Sequence, residues 1–302
     1  MHPILLQLGD FTLSTYEGAM TVAFLIAIFL AYRRAAKDGI DQGTVLDVCL
    51  WIVIGSLVGA RLLFILTRLN EYMAHPLELL KFWRGGLVYY GGLIGGAMAV
   101  WIILHRRNQP FFPMADLLAP YLMLGYAIHR TFGCFMAGCC FGRPTDLPWG
   151  VVFPEGSAPH AAWVGKALHP TQLYTGLGAL LIFLFLLWYR RRKPFDGALA
   201  IALFLLYAVS RFVVEMFRGD SIRGSIGALS TSQVLSVGTM VLGVVWFYAA
   251  RRYAQAQRAR GSGTVGPVAA GPGTVAPGAV GPATEKTPPT ADPPDPPPGP
   301  NA

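Results

Sequence analysis

One stretch of the chain, from His129 to Arg143, combines the residue types that carry out chemistry. It holds three cysteines, three glycines and two arginines in a sequence that is otherwise mostly apolar. Arg130 and Arg143 bracket it with guanidinium groups, which bind anions through paired hydrogen bonds. Glycines such as Gly133 and Gly142 let the backbone come close to a ligand or another helix. We interpret the stretch as a candidate active site for an anionic substrate. The alternative is a glycine-rich helix end with loop arginines.

Two more arginines, Arg61 and Arg211, lie inside segments that are otherwise apolar. An arginine within membrane hydrocarbon is unfavourable unless it is paired or faces a polar cavity. Glu215 and Arg218 follow Arg211 at helical spacing, so the three side chains share one helix face. One glutamate cannot neutralise two arginines, so we expect positive charge to remain for a ligand. A structural ion-pair ladder is the alternative.

Polar side chains also open a later apolar segment, in His169-Pro-Thr-Gln-Leu-Tyr174. Pro170 suits the first position of a helix and His169 the preceding cap. Capping does not explain the remaining polar side chains, which include Gln172. They are candidates for hydrogen bonding to a polar ligand.

The cysteines raise two further hypotheses. A zinc site formed with His129 is disfavoured, because the adjacent Cys139 and Cys140 are poor joint ligands and no second ligand pair follows. We therefore predict no metal and no cofactor. A thiol oxidoreductase is more tenable, since cysteines near arginines can have a lowered thiol pKa. No Cys-x-x-Cys pair is present, which weakens this alternative.

The composition places these residues in a membrane protein. Of 302 residues, 54% are hydrophobic and 13% are charged, which is far more apolar than a soluble chain. Crossing a bilayer takes about 20 residues, and seven apolar segments approach or exceed that length: 14–32, 45–67, 86–104, 112–128, 170–189, 197–217 and 228–250. We predict an all-α integral membrane protein with about seven transmembrane helices.

Basic residues cluster after the first, third, fifth and seventh of these segments. Such ends face the cytoplasm by the positive-inside rule. The N-terminus is then outside, the C-terminus is cytoplasmic, and residues 129–169 lie on the outer face between the fourth and fifth helices. These clusters also explain part of the net charge of +8, so we do not expect nucleic-acid binding.

The third segment begins with repeated glycines, and the four-residue spacing of Gly91 and Gly95, and of Gly92 and Gly96, predicts close contact with another helix.

From Gly261 onward the chain is mostly glycine, proline, alanine, threonine and valine. We assign 1–253 to a membrane domain and 254–302 to a disordered cytoplasmic tail.

These motifs, in this order and spacing, resemble the bacterial prolipoprotein diacylglyceryl transferases over nearly all of residues 10–250. The motifs that carry the resemblance are Ser14-Thr-Tyr-Glu-Gly18, Gly59-Ala-Arg61, Gly85-Gly-Leu-Val-Tyr-Tyr-Gly-Gly-Leu-Ile-Gly95, Gly133-Cys-Phe-Met-Ala-Gly-Cys-Cys-Phe-Gly-Arg143, His169-Pro-Thr-Gln-Leu-Tyr174, Arg211-Phe-Val-Val-Glu-Met-Phe-Arg218 and Ser232-Gln-Val-Leu-Ser236. Each motif alone is a weak signal, whereas the ordered set on a seven-span frame is specific.

The resemblance implies transfer of diacylglyceryl from phosphatidylglycerol to the lipobox cysteine thiol in the signal peptide of a preprolipoprotein, with release of glycerol phosphate. It implies a multi-pass protein of the bacterial inner membrane that works at the periplasmic face among membrane lipids. It implies catalytic roles for Arg130, Arg211, Glu215 and Tyr90. It implies substrate binding by Arg61, Tyr16, Gly133, Gly142, Arg143, His169, Gln172 and Arg218.

Three features depart from the family pattern. Arg130 is one residue out of register with Gly133, so Thr131 stands where the family has arginine. We expect a bulge or local unwinding of the helix end to absorb the extra residue and let Arg130 face the site.

The other two departures concern two of the cysteines and the position of the base. Cys134 and Cys139 stand where the family often has asparagine and glutamate, and Tyr90 stands where many members have a histidine proposed as the base. A tyrosine, with a reference pKa of about 10, is a poor base at neutral pH without help. The alternatives are a base elsewhere, a divergent paralogue with another lipid-transfer role, the thiol oxidoreductase, and an anion transporter that uses Arg61 and Arg211.

Overall fold

The computed structural model describes residues 4–8, 11–69, 88–219, 225–226 and 229–262. Long helices dominate this part of the chain, which confirms the all-α prediction. They are α1 (Thr15–Ala35), α2 (Gln42–Thr67), α3 (Tyr89–Arg106), α4 (Phe111–Ile128), α5 (Thr171–Tyr189), α6 (Ala198–Glu215) and α7 (Thr231–Ser262). Antiparallel strand pairs join Ile4–Leu8 to Phe11–Ser14, Val151–Val152 to Ala167–Leu168, and Ser225–Ile226 to Leu229–Ser230.

Six helical segments among the described residues are long and apolar enough to cross a membrane. They are Thr15–Asp38, Gln42–Thr67, Phe111–Ala137, Thr171–Arg192, Ala198–Glu215 and Thr231–Arg252. The chain is therefore a multi-pass membrane protein. α3 is not among the six, since its 18 residues include glycines and tyrosines and end in His105-Arg106. Seven spans and their orientation remain predictions.

The last helix, α7, continues to Ser262. The division into a membrane domain up to residue 253 and a disordered tail from residue 254 stays a prediction. The rest of the predicted tail, from 263 to 302, lies outside the described residues, as do Gly85 and Gly86 of the third segment.

A capping box sets the start of α1. The Ser14 hydroxyl accepts a hydrogen bond from the Glu17 backbone N–H at 3.2 Å, and the Glu17 carboxylate accepts one from the Ser14 backbone N–H at 3.3 Å. Both donors would otherwise lack a partner at the helix end. Because the helix starts at Thr15, Tyr16 lies in its first turn.

α4 lies at the centre of the helix assembly. Leu117 and Tyr121 belong to an apolar cluster shared with α1, α2 and α3. Ala119 and Met123 belong to a second cluster, shared with α5 and α6. α4 is therefore buried on two sides, and this fixes the position of the segment that follows its C-terminal end.

Glycines bring α2 and α3 into backbone contact. A Cβ atom on Gly59 would lie 2.3 Å from the Gly91 carbonyl oxygen, and one on Gly95 would lie 2.2 Å from the Gly55 carbonyl oxygen. No larger residue fits such distances without moving the helices. The predicted contact through Gly91 and Gly95 is confirmed, and its partners are Gly55 and Gly59.

The buried carboxylate of Asp116 ties α6 to α4. Its Oδ1 accepts hydrogen bonds from the backbone N–H groups of Leu199 (2.9 Å) and Ala200 (3.1 Å). Its Oδ2 accepts from the Gly197 N–H at 2.9 Å and from the Lys193 ammonium at 3.1 Å. These N–H groups open α6, so the carboxylate caps that helix from a neighbouring one and complements its dipole.

Candidate active site

The chain leaves α-helical geometry directly after α4. Residues His129–Cys134 form a π-helix, in which each hydrogen bond spans five residues instead of four. The wider turn absorbs one extra residue, and this is the local distortion that the sequence predicts between Arg130 and Gly133. Gly133 is buried in this turn, where a Cβ atom would lie 2.8 Å from the His129 ring.

Arg130 extends from the π-helix toward the cysteines. Its Nη1 lies 3.7 Å from Cys134 Sγ and 3.5 Å from Cys140 Sγ. Its guanidinium carbon lies 4.9 Å from the centre of the Tyr126 ring, within the range of a cation–π interaction. Arg130 is thus held between an aromatic face and two sulfur atoms.

Thr131 packs in a different direction. A Cβ atom built on Gly176 of α5 would lie 2.4 Å from Thr131 Oγ1, so the threonine side chain is pressed against α5. The π-helix therefore places Arg130, rather than Thr131, toward the cysteines.

The predicted shared face of Arg211, Glu215 and Arg218 is confirmed. Arg211 Nη1 lies 2.6 Å and Arg218 Nε 4.0 Å from Glu215 Oε2. Arg211 Nη2 also donates to Ser232 Oγ of α7 at 3.0 Å, and Ser230 Oγ donates to Glu215 Oε1 at 3.2 Å. Glu215 and Arg218 are buried, so the ion pairs are poorly screened by solvent.

Shared neighbours connect Arg130 to this group. Cys140 lies within range of the charges of Arg130 and Arg218, and Tyr207 of α6 lies within range of those of Arg130 and Arg211. The Tyr207 and Tyr126 rings meet edge to face, 5.8 Å apart. These contacts and shared electrostatic neighbours define one group of side chains, which we call the arginine ring: Arg130, Cys140, Arg218, Glu215, Arg211, Tyr207 and Tyr126.

Among the described residues, the arginine ring holds more positive than negative charge. It contains three guanidinium groups, from Arg130, Arg211 and Arg218, and the carboxylate of Glu215. Arginine stays protonated at any physiological pH, and its planar fork matches the oxygens of a phosphate. The arrangement can hold a phosphate ester and stabilise additional negative charge on it.

The thiols beside Arg130 share their hydrogen bonds unequally. Hydrogen bonds from Cys134 and Cys139 lower the pKa of the Cys140 thiol against the effect of burial, and the charges of Arg218 and Arg130 act in the same direction. Hydrogen bonding to Cys134 and Cys140, together with burial, raises the pKa of Cys139. Cys140 is therefore the member that carries negative charge most readily. All four cysteines of the chain are free thiols.

A small backbone platform supports the arginine ring from the loop side. Gly142 N–H donates to the His169 carbonyl at 3.0 Å, and Arg143 N–H donates to the Phe217 carbonyl at 2.9 Å. A Cβ atom on Gly142 would lie 2.5 Å from the His169 carbonyl oxygen and 2.8 Å from that of Phe217. Arg143 Nε donates to the Arg218 carbonyl at 2.9 Å. Gly142 and Arg143 thus fix the backbone that carries Arg218.

The polar residues at the start of α5 hold the cysteine loop. Thr171 Oγ1 donates to the Cys140 carbonyl at 2.6 Å, and Gln172 Nε2 donates to the Cys139 carbonyl at 2.7 Å. Both side chains are buried. The structure therefore gives the Gln172 amide nitrogen a positioning contact with the protein, and the contact of Gln172 with a ligand stays a prediction.

His169 belongs to an aromatic cluster beside the platform. Its Nδ1 lies 3.1 Å from the Tyr174 hydroxyl, which accepts a hydrogen bond from Trp149 Nε1 at 2.7 Å. The His169 ring also lies 5.1 Å from that of Phe217. The cluster packs the start of α5 against the residues that follow α6.

Tyr16 reaches the site from α1. Its ring meets the His129 ring edge to face at 4.6 Å, and it lies within range of Arg130 and the three clustered cysteines. The side chain is 39% exposed, so it can also contact a molecule that approaches the arginine ring.

Arg61 and Tyr90 lie together on the α2–α3 pair. The Val88 N–H donates to the Ala60 carbonyl at 3.1 Å, so α3 begins at the level of Arg61. The Arg61 guanidinium carbon lies 5.6 Å from the Phe64 ring, and Tyr90 is 54% exposed. Both residues are therefore on helices other than those that carry the arginine ring.

An apolar groove of about 200 Å³ runs between α1 and α4. It is lined by Met20, Ala23, Phe24, Ala27, Leu122, Gly125, Tyr126 and His129. Tyr126 is part of the arginine ring, and His129 precedes Arg130. The groove therefore adjoins the arginine ring and offers an apolar lining beside it.

Sequence reasoning missed the two tyrosines of the arginine ring. Tyr207 lies in the middle of an apolar segment, away from the interfaces where aromatic anchors collect, and that position is a signal that its hydroxyl group has a partner in the protein. Tyr126 lies near the end of its segment, where the sequence gives no such signal. No group of three potential metal ligands occurs among the residues that the structure describes.

Comparison with known proteins agrees with the geometry. The family model for prolipoprotein diacylglyceryl transferase matches residues 3–249. The phosphatidylglycerol--prolipoprotein diacylglyceryl transferase of Clostridium tetani is 35% identical over 247 residues, covering 82% of this chain and 97% of that protein. The enzyme of the same name from Synechococcus elongatus is 34% identical over 259 residues, covering 83% and 89%. The chain therefore belongs to the prolipoprotein diacylglyceryl transferase family.

Proposed function

We propose that the protein transfers the diacylglyceryl group of phosphatidylglycerol to the thiol of the lipobox cysteine in a preprolipoprotein signal peptide. A thioether forms and glycerol phosphate is released. The observation that carries the proposal is the arginine ring, in which three guanidinium groups accompany one carboxylate. The names of the related enzymes from Clostridium tetani and Synechococcus elongatus supply the two substrates.

The charge of the arginine ring suits this reaction. Phosphatidylglycerol has one negative charge on its phosphodiester, and the departing phosphate gains a second as the glyceryl C–O bond breaks. Guanidinium groups therefore bind the transition state more strongly than the ground state, which is the requirement for catalysis. We assign this role to Arg130 and Arg211, with Glu215 orienting Arg211 and with Arg218 adding charge.

The remaining site residues fit substrate positioning. The groove between α1 and α4 has the apolar lining needed for an acyl chain of the lipid. Tyr16 is placed to contact the incoming substrate, and Gly133, Gly142, Arg143 and His169 support the backbone around the phosphate. Arg61 and Tyr90 would act from the α2–α3 pair on a part of the substrate outside the arginine ring.

Mass spectrometry tests the proposal directly. The purified protein is incubated with phosphatidylglycerol and a lipobox peptide, and the peptide is analysed for the mass of an added diacylglyceryl group. We expect the addition on a cysteine peptide and none on its serine counterpart, and we expect phosphatidylethanolamine to be a poorer donor. A wild-type protein that leaves the cysteine peptide unmodified would contradict the proposal.

We further propose a seven-span arrangement in the bacterial inner membrane, with the N-terminus and residues 129–169 in the periplasm. The alternation of basic helix ends supports this orientation. A reporter that works only in the cytoplasm should be active when it is fused after Arg252. If only a reporter that works in the periplasm is active at this position, the proposed orientation is wrong.

A further inference from the structure

Transfer to a thiol requires a group that removes the thiol proton. A free cysteine is only a few per cent thiolate at pH 7, and the thiolate is the nucleophile. Tyr90 is exposed on the α2–α3 pair. Cys140, in contrast, lies in the arginine ring itself, 3.5 Å from Arg130 Nη1.

The backbone holds Cys140 in an unusual conformation. Its φ angle is +60°, a region that residues other than glycine adopt rarely and at an energetic cost. The hydrogen bonds from Thr171 to the Cys140 carbonyl and from Gln172 to the Cys139 carbonyl maintain that conformation. Two buried side chains thus keep the Cys140 sulfur directed at Arg130.

The groups that face Cys140 come from several elements. The π-helix supplies Arg130, Cys134 and His129, the adjoining loop supplies Cys139, α1 supplies Tyr16, and the residues after α6 supply Arg218. The two arginines and the two neighbouring thiols all favour a negative charge on Cys140, which lowers the pKa of its thiol against the effect of burial.

Building on the function proposed above, we propose that Cys140 is the general base of the transfer reaction. Its thiolate takes the proton of the lipobox thiol, and the lipobox thiolate attacks the glyceryl carbon of phosphatidylglycerol. A C–S bond forms as the C–O bond breaks, and the electron pair leaves on the glycerol phosphate held by the arginines. The proton then passes from the Cys140 thiol to that phosphate, whose second pKa lies near 6.

A nucleophilic role for Cys140 is chemically unfavourable. Attack of its own thiolate on the glyceryl carbon would join the lipid to the enzyme by a thioether, and the enzyme thiolate would be a poor leaving group when a second thiol attacked that carbon. Proton transfer between two thiols forms no such linkage and is reversible. The position of Cys140 beside the bound phosphate therefore suits a base.

Alkylation of the wild-type protein tests whether Cys140 is a thiolate. The full chain is treated with iodoacetamide over a range of pH, and labelling of each cysteine is quantified by mass spectrometry. We expect the labelling of Cys140 to reach half its maximum at a lower pH than that of Cys139 or Cys49, and phosphatidylglycerol to slow it. A Cys140 that stays unlabelled, or that follows the pH dependence of an ordinary thiol, overturns the proposal.

A matched pair of variants tests the catalytic role. Cys140→Asp and Cys140→Asn introduce side chains of nearly equal shape, and both residues tolerate a positive φ better than most. Only the carboxylate can accept a proton. We expect Cys140→Asn to lower kcat by about 100-fold or more with little change in KM for phosphatidylglycerol, and Cys140→Asp to recover part of that loss. Equal kcat in the two variants, or wild-type kcat in Cys140→Asn, removes Cys140 as the base.

Two controls separate this inference from the proposed function. Cys49→Ser in α2, away from the arginine ring, should keep wild-type kcat. If the wild-type protein and Cys140→Asn transfer lipid equally well, only the role of Cys140 is contradicted. Wild-type protein that transfers no lipid contradicts the proposed function instead.

Discussion

Replacing Asp116 with alanine removes the acceptor for four donors at once. Three are backbone N–H groups at the start of α6, and the fourth is the Lys193 ammonium. Asp116 is only 3% exposed, so water cannot easily replace the carboxylate. We expect this substitution to destabilise the protein strongly, although it lies on a different part of the helix assembly from the arginine ring.

The contacts of Asp116 determine how much the free energy of unfolding should fall. Removing one partner from a buried ion pair costs about 3–5 kcal/mol, because the other partner is left without compensation. Asp116→Asn keeps an oxygen for the N–H groups of Leu199 and Ala200 but loses the negative charge and one acceptor, so about 1–3 kcal/mol is expected. Asp196→Asn is the control, since its exposed carboxylate also contacts Lys193 and should contribute at most about 1 kcal/mol.

Unfolding of the purified protein in detergent, followed by tryptophan fluorescence against denaturant, measures these differences. The free energy of unfolding should fall most for Asp116→Ala, less for Asp116→Asn and least for Asp196→Asn. If Asp116→Ala unfolds at the same denaturant concentration as the wild type, the carboxylate does not cap α6. If both asparagine variants lose equal stability, Lys193 rather than α6 is the partner that matters.

Three further predictions concern the site and the helix contact. Arg130→Ala should abolish measurable transfer. Thr131→Ala should reduce transfer only mildly, because the threonine side chain packs on α5. An active Arg130→Ala together with an inactive Arg143→Ala would place the phosphate on the loop arginine, Arg143. Arg211→Lys keeps the charge but loses the fork, and should lower kcat roughly 10- to 150-fold, equivalent to about 1.5–3 kcal/mol; unchanged turnover would leave Arg211 with a structural role only. Gly95→Ala should destabilise the folded protein by about 1–3 kcal/mol through overlap with Gly55, whereas Gly238→Ala, which meets nothing within 4 Å, should be neutral or stabilising in the same denaturant titration.

The sequence predicts the helices well because length and apolar composition suffice to identify a membrane segment. It does not show which helix is central. α2 and α4 are both long apolar segments, yet few residues of α2 and many of α4 are buried. A carboxylate within the apolar segment does not separate them, because α2 carries Asp47 as α4 carries Asp116, and only the structure shows that Asp116 is the buried one.

Within the site, the sequence predicts contacts between residues that are close in the chain better than contacts between residues on different helices. The sequence groups Arg211 and Glu215 correctly because helical geometry alone brings them together, and the turn directly after α6 adds Arg218. The tyrosines that connect Arg211 to Arg130 come from two different helices, and no local pattern reports which rings will meet.

The polar residues at the start of α5 show a related limit. Thr171 and Gln172 have the side chains of a ligand site, and the sequence supports that interpretation. In the structure both donate to carbonyl groups of the cysteine loop. Hydrogen-bonding capacity is visible in the sequence, whereas its partner depends on a backbone conformation, here the positive φ of Cys140, that no residue type in the loop announces.

Arg130 shows how a helix tolerates a shifted register. In a regular α-helix a shift of one residue turns a side chain by about 100°, which would exchange the directions of Arg130 and Thr131. The π-helix at His129–Cys134 widens one turn, so the preceding helix keeps its packing while Arg130 reaches Cys140. A wide turn makes poorer backbone hydrogen bonds, and π-turns persist mainly at functional sites. The π-helix at this position therefore indicates that the direction of the Arg130 side chain matters to this protein.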